Sequence, residues 1–436
     1  LFGVLVLGFG AITEIRGAFQ ATRKTDLGVY LRAAWAARSG RDPFDVTDNN
    51  GWHYCYPPTF ALLLTPIADP MPGHPRDGYP PYWLSVALWY VFGIACVAWS
   101  AHVLASAVVP DAARGSRRWW YARTVPVYVC IGGIGHTLGR GQVNVLAVAL
   151  VAASFAAMVA NRRVRSGLWL AAAIVLKVIP GFLLLFPLVR RDRRALVGTA
   201  AGLVVLLGLV PAAWWGLDGA IDANRKVIEL VLKPGTTGEG DQTRAKELTG
   251  TTSTDSQSFQ ALIHAVQYPD LTTRPPEASR ETRLAHWALG GLLTLLTAWV
   301  GWRRLGDAAG DQLVFLGCLS ALMLLVSPVS HMHYYAFAFP LAAGLWLRSL
   351  ALRPGAISAD MRTTAALVAW GVATALPLFP GGLFDRLREG GFGVVATLGL
   401  WALGLWALGL RTVTRSPAVS LPVAGPAYQS PGSRAA

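Results

Sequence analysis

Apolar stretches of about 15 to 25 residues recur along the chain, and short polar segments separate them. Because a helix of about 20 apolar residues crosses the hydrocarbon core of a bilayer, this pattern predicts about twelve membrane spans. The predicted spans are 1–16, 83–109, 124–138, 143–160, 167–177, 179–189, 195–215, 284–302, 312–327, 334–350, 363–379 and 391–410. The first span is short, so we expect that a few residues precede Leu1 in the natural protein. The sequence predicts an all-α integral membrane protein.

Composition and charge support a membrane protein and exclude a soluble one. Of the 436 residues, 53% are hydrophobic and only 14% are charged, whereas soluble domains carry roughly 25% charged residues. The net charge of +14 could indicate a nucleic-acid partner. We expect none, because the arginines lie in short clusters between apolar stretches.

The arginine clusters predict which ends of the spans are cytoplasmic, since positively charged short loops stay on that side. The clusters are Arg114, Arg117, Arg118 and Arg123; Arg162, Arg163 and Arg165; Arg190, Arg191, Arg193 and Arg194; Arg303 and Arg304; and Arg348, Arg353 and Arg362. All of them are cytoplasmic only if residues 167–189 enter the membrane and return, with a break at Lys177 and Pro180. Two long segments, 17–82 and 216–283, then form large outer loops. Residues 1–410 are predicted to form one membrane domain, and 411–436 a disordered cytoplasmic tail.

Asp26 follows the first span at the start of a helical pattern. The spacing of Leu27, Tyr30 and the following apolar residues predicts an amphipathic helix at the membrane interface, with Arg32 and Arg38 toward water. Taken alone, Asp26 is typical of a helix N-cap.

Four further motifs fall at the predicted outer ends of the spans. Tyr54 and Tyr56 precede a double proline, which suits either stacking on a sugar ring or anchoring at lipid headgroups. The turn with Arg140, Gln142 and Asn144 either lines a wet cavity or is a structural turn. The other two motifs contain Lys177 and the pair His331 and His333.

Lys177 and the two histidines indicate an anionic ligand such as a phosphate. A lysine at membrane depth is a candidate functional residue, although it could also extend toward the interface. His331 and His333 lack a third ligand at a characteristic spacing, so we expect no metal site. The four cysteines show no C-x-x-C spacing, and we expect neither a disulfide nor zinc. Gln257 and Ser258 belong to the one dense polar patch of the second outer loop.

In combination, these motifs resemble glycosyltransferases of the GT-C type, family 87. The motifs are Asp-Leu-x-x-Tyr, Tyr-x-Tyr-Pro-Pro, Gly-Gln-x-Asn, Lys-x-x-Pro, Gln-Ser-Phe and Ser-Pro-x-Ser-x-x-His-Tyr. That family comprises polyprenyl-phosphate-mannose-dependent mannosyltransferases and their arabinofuranosyl relatives. The resemblance implies a GT-C helical bundle with Asp26 as the catalytic base. It also implies that Lys177, His331, His333 and Arg140 bind the donor phosphate. The residues that would shape the sugar and acceptor sites are Tyr54, Tyr56, Gln142, Asn144, Gln257 and Ser258.

The expected activity is inverting transfer of a hexose, mannose by this resemblance, from a polyprenyl-phosphate donor to a lipid or glycan acceptor. It would take place on the outer face of the cytoplasmic membrane, without a cofactor. The chain has no Asp-x-Asp and no adjacent acidic pair, which fits metal independence, although Glu239 and Asp241 in the outer loop leave that point open. Alternatives are an arabinofuranosyltransferase, a transporter of lipid-linked sugars and a non-catalytic scaffold.

Overall fold

The computed structural model describes residues 2–20, 25–234 and 256–409. Throughout these ranges the regular secondary structure is helical, apart from two isolated antiparallel bridges, Thr47 with His53 and Ser256 with His331. The described residues do not include Glu239 and Asp241, residue 410 at the end of the last predicted span, or the predicted tail 411–436.

Helices make up most of the described chain. The α-helices are α1 (Phe2–Glu14), α2 (Leu27–Arg38), α3 (Pro58–Leu63), α4 (Tyr82–Val108), α5 (Arg117–Val129), α6 (Ile131–Gly139), α7 (Asn144–Val159), α8 (Arg163–Leu176), α9 (Leu185–Val189), α10 (Arg193–Leu203), α11 (Val210–Val227), α12 (Phe259–Gln267), α13 (Arg280–Arg304), α14 (Ala309–Val326), α15 (Phe339–Ala351), α16 (Met361–Ala375), α17 (Gly382–Glu389) and α18 (Phe392–Gly409). Short 3₁₀ segments cover Thr65–Ile67, Ile179–Leu184, Met332–Ala338 and Leu376–Leu378, and π-helical turns cover Ile15–Phe19, Val204–Leu209 and Ile228–Leu232.

Each predicted apolar stretch coincides with helix, but fewer helices than the twelve predicted spans are long and apolar enough to cross a membrane by themselves. Among the described residues, five helices have the length and composition to cross a membrane. They are Tyr82–Val108, Arg193–Leu232, Arg280–Arg304, Ala309–Val326 and Phe392–Gly409. A sixth is possible if Met361–Leu378 and Gly382–Glu389, which meet at a bend of 117°, count as one span. The chain is a multi-pass helical membrane protein.

Local backbone breaks shorten the other apolar helices. Cys130, with φ −93° and ψ 11°, separates α5 from α6. Lys177 ends α8 in an extended conformation, with φ −157° and ψ 123°. The 3₁₀ segment that follows contains Pro180, which lacks the N–H needed to continue the ladder. The predicted break at Lys177 and Pro180 is therefore confirmed.

The prediction that α2 turns Arg32 toward water is wrong, whereas Arg38 at the end of the helix is exposed as predicted. Leu27 and all residues from Val29 to Ala37 are buried. The segment that follows α2 covers the helix, with Phe44, Tyr54 and Phe60 in the same hydrophobic core. Arg32 does not reach water: it is 4% exposed and contacts Asp69 Oδ2 at 3.4 Å and Asn49 Oδ1 at 3.3 Å. A buried guanidinium needs such acceptors.

The second predicted outer loop begins with helix rather than with irregular chain. Helical residues continue from Val210 past Gly216 to Leu232. Gly216 bends the helix, because its φ of 75° and ψ of 173° are not helical, and glycine adopts this conformation without a steric penalty. Leu217, Ile221 and Ile228 beyond the bend are exposed.

Two hydrophobic cores meet next to the polar motifs. One contains α2, the segment around Phe60 and the start of α4, and it includes Val143 and Leu176. The other contains α14 and α15, and it includes Val145 and Ala173. The start of α7 and the end of α8 therefore pass from one core to the other. Asn144 and Lys177 lie on this boundary.

Candidate active site

Asp26 is paired with Arg140, which lies on the turn between α6 and α7. Arg140 Nε donates a hydrogen bond to Asp26 Oδ2 at 3.1 Å, and the backbone N–H of Asp26 donates to the carbonyl of Arg140 at 2.9 Å. Asp26 occupies the N-cap position of α2 but its side chain makes no capping hydrogen bond. The N-cap interpretation is therefore wrong. The side chains of Asp26 and Arg140 are 18% and 29% exposed, so a ligand can reach the carboxylate.

Gly141 allows this turn to approach α2. Its φ is 66°, and a Cβ on Gly141 would lie 2.7 Å from Cβ of Leu27, which is too close. Trp89 fixes the turn from the other side, because its indole N–H donates to the carbonyl of Gly141 at 2.9 Å. A glycine at this position thus brings Arg140 and Asp26 together.

Lys177 is 5% exposed and its ammonium lies between an amide and an aromatic ring. Nζ donates to Asn144 Oδ1 at 2.8 Å and lies 3.8 Å from the centre of the Tyr334 ring. The ring of Tyr56 is farther away, at 6.0 Å. The charge on Lys177 also interacts with the Asp26 carboxylate. The interpretation of Lys177 as a lysine that extends to the membrane interface is therefore wrong.

The side-chain oxygen of Gln142 lies within hydrogen-bonding distance of two tyrosine hydroxyls. Tyr30 OH lies 2.9 Å from Gln142 Oε1 and 2.9 Å from Tyr56 OH, and Tyr56 OH lies 3.4 Å from the same amide oxygen. Burial and the neighbouring Tyr56 raise the pKa of Tyr30 well above its usual value. Tyr30 therefore remains a neutral hydrogen-bond donor at physiological pH.

Three imidazoles lie together, and the one at their centre, His333, interacts with Lys177. The ring of His333 stacks on that of His331, with centroids 5.4 Å apart, and meets that of His136 edge-on at 5.8 Å. The carbonyl of His333 accepts from Asn144 Nδ2 at 3.0 Å and from Thr137 Oγ1 at 2.7 Å. In contrast, Nε2 of His333 is buried and has no partner among the described residues. A buried nitrogen of this kind is expected to bind a ligand or water.

We call nine of these residues the Asp26–Lys177 cluster. Its members are Asp26, Tyr30, Tyr56, Arg140, Gln142, Asn144, Lys177, His333 and Tyr334. His331 adjoins the cluster through its contact with His333. The cluster is accessible at Asp26 and Arg140 and buried at Lys177.

Three predicted site residues serve the surrounding structure instead of the cluster. Tyr54 is fully buried and its hydroxyl donates to the carbonyl of Pro57 at 2.8 Å. Ser258 caps α12 by accepting from the N–H of Ala261 at 3.1 Å. Gln257 is fully buried, and its Nε2 donates to the carbonyl of Arg388 at 3.0 Å. Gln257 and Ser258 lie behind His331, whose neighbour Ser330 accepts from the N–H of Gln257.

Sequence reasoning did not assign Tyr30, Trp52, His136 and Tyr334 to the site. Tyr30 and Tyr334 stand inside motifs that were identified, so those motifs contained the signal. Trp52, whose ring centre lies 5.4 Å from the guanidinium carbon of Arg140, stands in no identified motif. His136 is one helical turn before Arg140 and looked like part of an apolar span.

The cluster combines one carboxylate with cations and hydrogen-bond donors. Within the described residues, no group of three or more His, Cys, Asp or Glu side chains could hold a metal ion. A carboxylate can accept a proton from a hydroxyl, and an ammonium with imidazole and guanidinium groups can stabilise negative charge on a phosphate. The arrangement therefore suits group transfer from a phosphate ester.

The chain is similar to several known proteins. Two relatives are polyprenol-phosphate-mannose-dependent alpha-(1-2)-phosphatidylinositol mannoside mannosyltransferases. The relative from Mycobacterium tuberculosis is 27% identical over 81% of this chain and 77% of its own length. The relative from Mycolicibacterium smegmatis is 26% identical over 86% of this chain and 80% of its own length. The crystal structure of ArnT from Cupriavidus metallidurans bound to undecaprenyl phosphate aligns with 93% of this chain and 76% of ArnT, at 16% identity and a TM-score of 0.43. The profile of glycosyltransferase family 87 matches residues 54–328, more than half of the chain, and the chain is therefore a membrane glycosyltransferase that belongs to this family.

Proposed function

We propose that this protein transfers mannose from a polyprenyl-phosphate donor to a lipid or glycan acceptor, with inversion at the anomeric carbon. The two mannosyltransferase relatives, which cover about four fifths of the chain, support the donor class. The Asp26–Lys177 cluster supplies the chemical groups that the reaction needs.

The observation that carries the proposal is the environment of Lys177. Lys177 is 5% exposed, and among the described residues its ammonium has one hydrogen-bond acceptor, the neutral Asn144 Oδ1. Burying a charge is costly unless other charges and hydrogen bonds compensate for it. A phosphate bound between Lys177 and the unpartnered Nε2 of His333 would provide both. The donor phosphate is the natural anion for this position.

In the proposed reaction, Asp26 is the general base. Arg140 Nε holds Oδ2, and no described residue donates to Oδ1, which can accept the proton of the acceptor hydroxyl. The hydroxyl oxygen then attacks the anomeric carbon of the donor. A new C–O bond forms while the bond from that carbon to the phosphate oxygen breaks, and the bonding electrons leave on the phosphate. Lys177 and His333, with His331 beside them, stabilise the negative charge that develops there.

The positions of the arginine clusters support a site at the outer face. Asn144 is the first residue of α7 and Lys177 follows the last residue of α8, whereas Arg162 and Arg163 lie at the opposite ends of these two helices. The sixteen residues of α7 separate the two ends by about 24 Å. If the arginines are cytoplasmic, then the cluster faces the outside of the cytoplasmic membrane.

The test is a reconstituted transfer assay. Purified protein in liposomes receives radiolabelled polyprenyl-phosphate mannose and, as acceptor, the phosphatidylinositol mannosides that its relatives use by name. We expect a mannosylated lipid that forms only with the donor. Excess unlabelled polyprenyl-phosphate mannose should suppress the label, whereas polyprenyl-phosphate arabinofuranose should not.

Two results would contradict the proposal. Product from the arabinofuranosyl donor alone would show that the sugar is a pentose. Movement of the labelled lipid across sealed vesicles without a new glycosidic bond would show a transporter.

A further inference from the structure

Tyr334 presents the face of its ring to Lys177. The distance from Nζ to the ring centre is 3.8 Å, well within the range of about 6 Å for a cation–π interaction. The backbone N–H of Tyr334 donates to the carbonyl of His331 at 2.8 Å, and the His333 ring lies 4.9 Å from the Tyr334 ring. The ring is therefore fixed in place by the start of the 3₁₀ segment Met332–Ala338.

Asn144 fixes the same ammonium from another direction. Its Oδ1 accepts from Lys177 Nζ at 2.8 Å, and its Nδ2 donates to the carbonyl of His333 at 3.0 Å. The amide orientation is thereby determined, because only the oxygen can accept from the ammonium. The amide and the aromatic ring thus hold Lys177 together.

This arrangement uses only part of the hydrogen-bonding capacity of Lys177. An ammonium has three N–H donors, and one of them serves Asn144. The Tyr334 ring offsets part of the positive charge without accepting a conventional hydrogen bond. Two N–H groups therefore remain for a ligand, as far as the described part of the chain is concerned.

We propose that Tyr334 is a positioning residue that holds the ammonium of Lys177 by a cation–π interaction and so directs its remaining N–H groups to the phosphate of the donor. This inference rests on the proposed function for the identity of the ligand. In this inference the aromatic face of Tyr334 holds Lys177, and the hydroxyl of Tyr334 is not required. Replacement of the ring by an aliphatic group should then weaken phosphate binding, and replacement by another aromatic ring should not.

The test measures binding of a short-chain polyprenyl monophosphate, which carries no sugar, to the purified full-length protein. We expect Tyr334→Phe to bind within about twofold of the wild type and Tyr334→Leu to bind about tenfold or more weakly, since a desolvated cation–π contact is lost. Incorporation of 3,4,5-trifluorophenylalanine at position 334 retains the shape of the ring but withdraws its π electrons. This variant should bind nearly as weakly as Tyr334→Leu. Because its side chain is close to tyrosine in size, it tests the inference even if the leucine variant does not fold.

The dependence on Lys177 is tested in a double-mutant cycle. In a Lys177→Met background, Tyr334→Leu should cause no further loss of binding. The matched control is Tyr79→Leu, which removes another tyrosine that lies under a cation, Arg38 at 4.3 Å. This control should bind polyprenyl phosphate like the wild type.

Three outcomes would overturn the inference. They are equal losses in Tyr334→Phe and Tyr334→Leu, a further loss on Tyr334→Leu in the Lys177→Met background, and an absence of polyprenyl-phosphate binding by the wild type. A failure of the proposed function can be told apart from a failure of this inference. If the wild type and the Tyr334 variants bind polyprenyl phosphate in the predicted order but the wild type forms no mannosylated product, the transfer activity is refuted and the role of Tyr334 stands.

Discussion

At the residue scale, the structure gives the partners that Arg140 and the Gly-Gln-x-Asn motif after it have within the protein. By resemblance, Arg140 was expected at the donor phosphate, and Gln142 and Asn144 at the sugar. In the structure Arg140 contacts Asp26, Gln142 accepts from Tyr30, and Asn144 accepts from Lys177. The motif therefore organises the other polar residues of the cluster. The sequence could reveal that these residue types belong together, but not their partners, which are 33 to 114 positions away.

Arg140 gives the first prediction at this scale. Because its Nε holds one oxygen of Asp26, Arg140→Lys should misplace the proposed base. Lysine lacks the planar guanidinium group of arginine, and its ammonium acts as a point charge. We expect kcat for transfer to fall by about tenfold to a hundredfold, whereas KM for the donor should change little.

The control for this experiment is Arg76→Lys. Arg76 Nη1 contacts Asp69 at 2.8 Å in the segment between α3 and α4, away from the cluster, and this variant should retain wild-type kcat. If Arg140→Lys instead raised KM for the donor at unchanged kcat, Arg140 would bind the phosphate, as the resemblance implies.

At the element scale, α8 and α10 pack closely because glycines face each other across their contact. A Cβ on Gly198 would collide with the carbonyl oxygen of Val164, and one on Gly167 would collide with the carbonyl oxygen of Ala195. Small residues let helix backbones approach in this way in membranes. Since Lys177 directly follows α8, this contact also helps to position Lys177.

Gly198→Val should therefore force α8 and α10 apart. Overpacking of this kind typically costs about 1–3 kcal/mol, and we expect a lower midpoint of thermal aggregation in detergent. Gly291→Val in α13 is the matched control, because a Cβ there meets no atom within 4 Å. Equal midpoints for Gly198→Val and the wild type would show that the two helices can separate at no cost.

The elements themselves were largely predictable from the apolar pattern. Helix covers each apolar stretch, and the break at Lys177 and Pro180 follows from the cost of a buried lysine and the missing N–H of proline. Two elements were not predictable. The pattern of α2 is that of an amphipathic helix, but the segment that follows it covers Arg32 and pairs it with Asp69. The helix beyond Gly216 contains enough charged residues to resemble a loop, including Asp218, Asp222 and Arg225.

At the scale of the whole molecule, the fold brings together residues from five separate parts of the chain. The five residues are Asp26 at the start of α2, Tyr56 between α2 and α3, Arg140 in the turn before α7, Lys177 at the end of α8 and Tyr334 in the segment before α15. The sequence predicted that their motifs share one side of the membrane, and the structure places these five side chains in one cluster. Among the described residues of the segment 216–283, Gln257 and Ser258 are buried behind His331.

The same arrangement explains why a lipid-linked substrate would suit this protein. Helices such as α13 expose large apolar side chains, among them Leu292, Leu295 and Trp299, as expected for surfaces that contact lipid. The polar cluster lies at one end of α7 and α8, and the arginines lie at the other. A donor with an apolar tail could therefore keep its tail in the bilayer while its phosphate reaches Lys177.

The central claim is that Asp26 is the base of a transfer reaction whose donor phosphate binds at Lys177. The most direct measurement compares Asp26→Asn with the wild type for mannosyl transfer and for binding of polyprenyl phosphate in the same preparation. Asparagine retains the shape of the side chain but cannot act as a base, so we predict a loss in transfer of about 10²–10⁴-fold with binding retained. Asp45→Asn, at an exposed aspartate between α2 and α3, should transfer like the wild type. Transfer by Asp26→Asn at the wild-type rate would contradict the account.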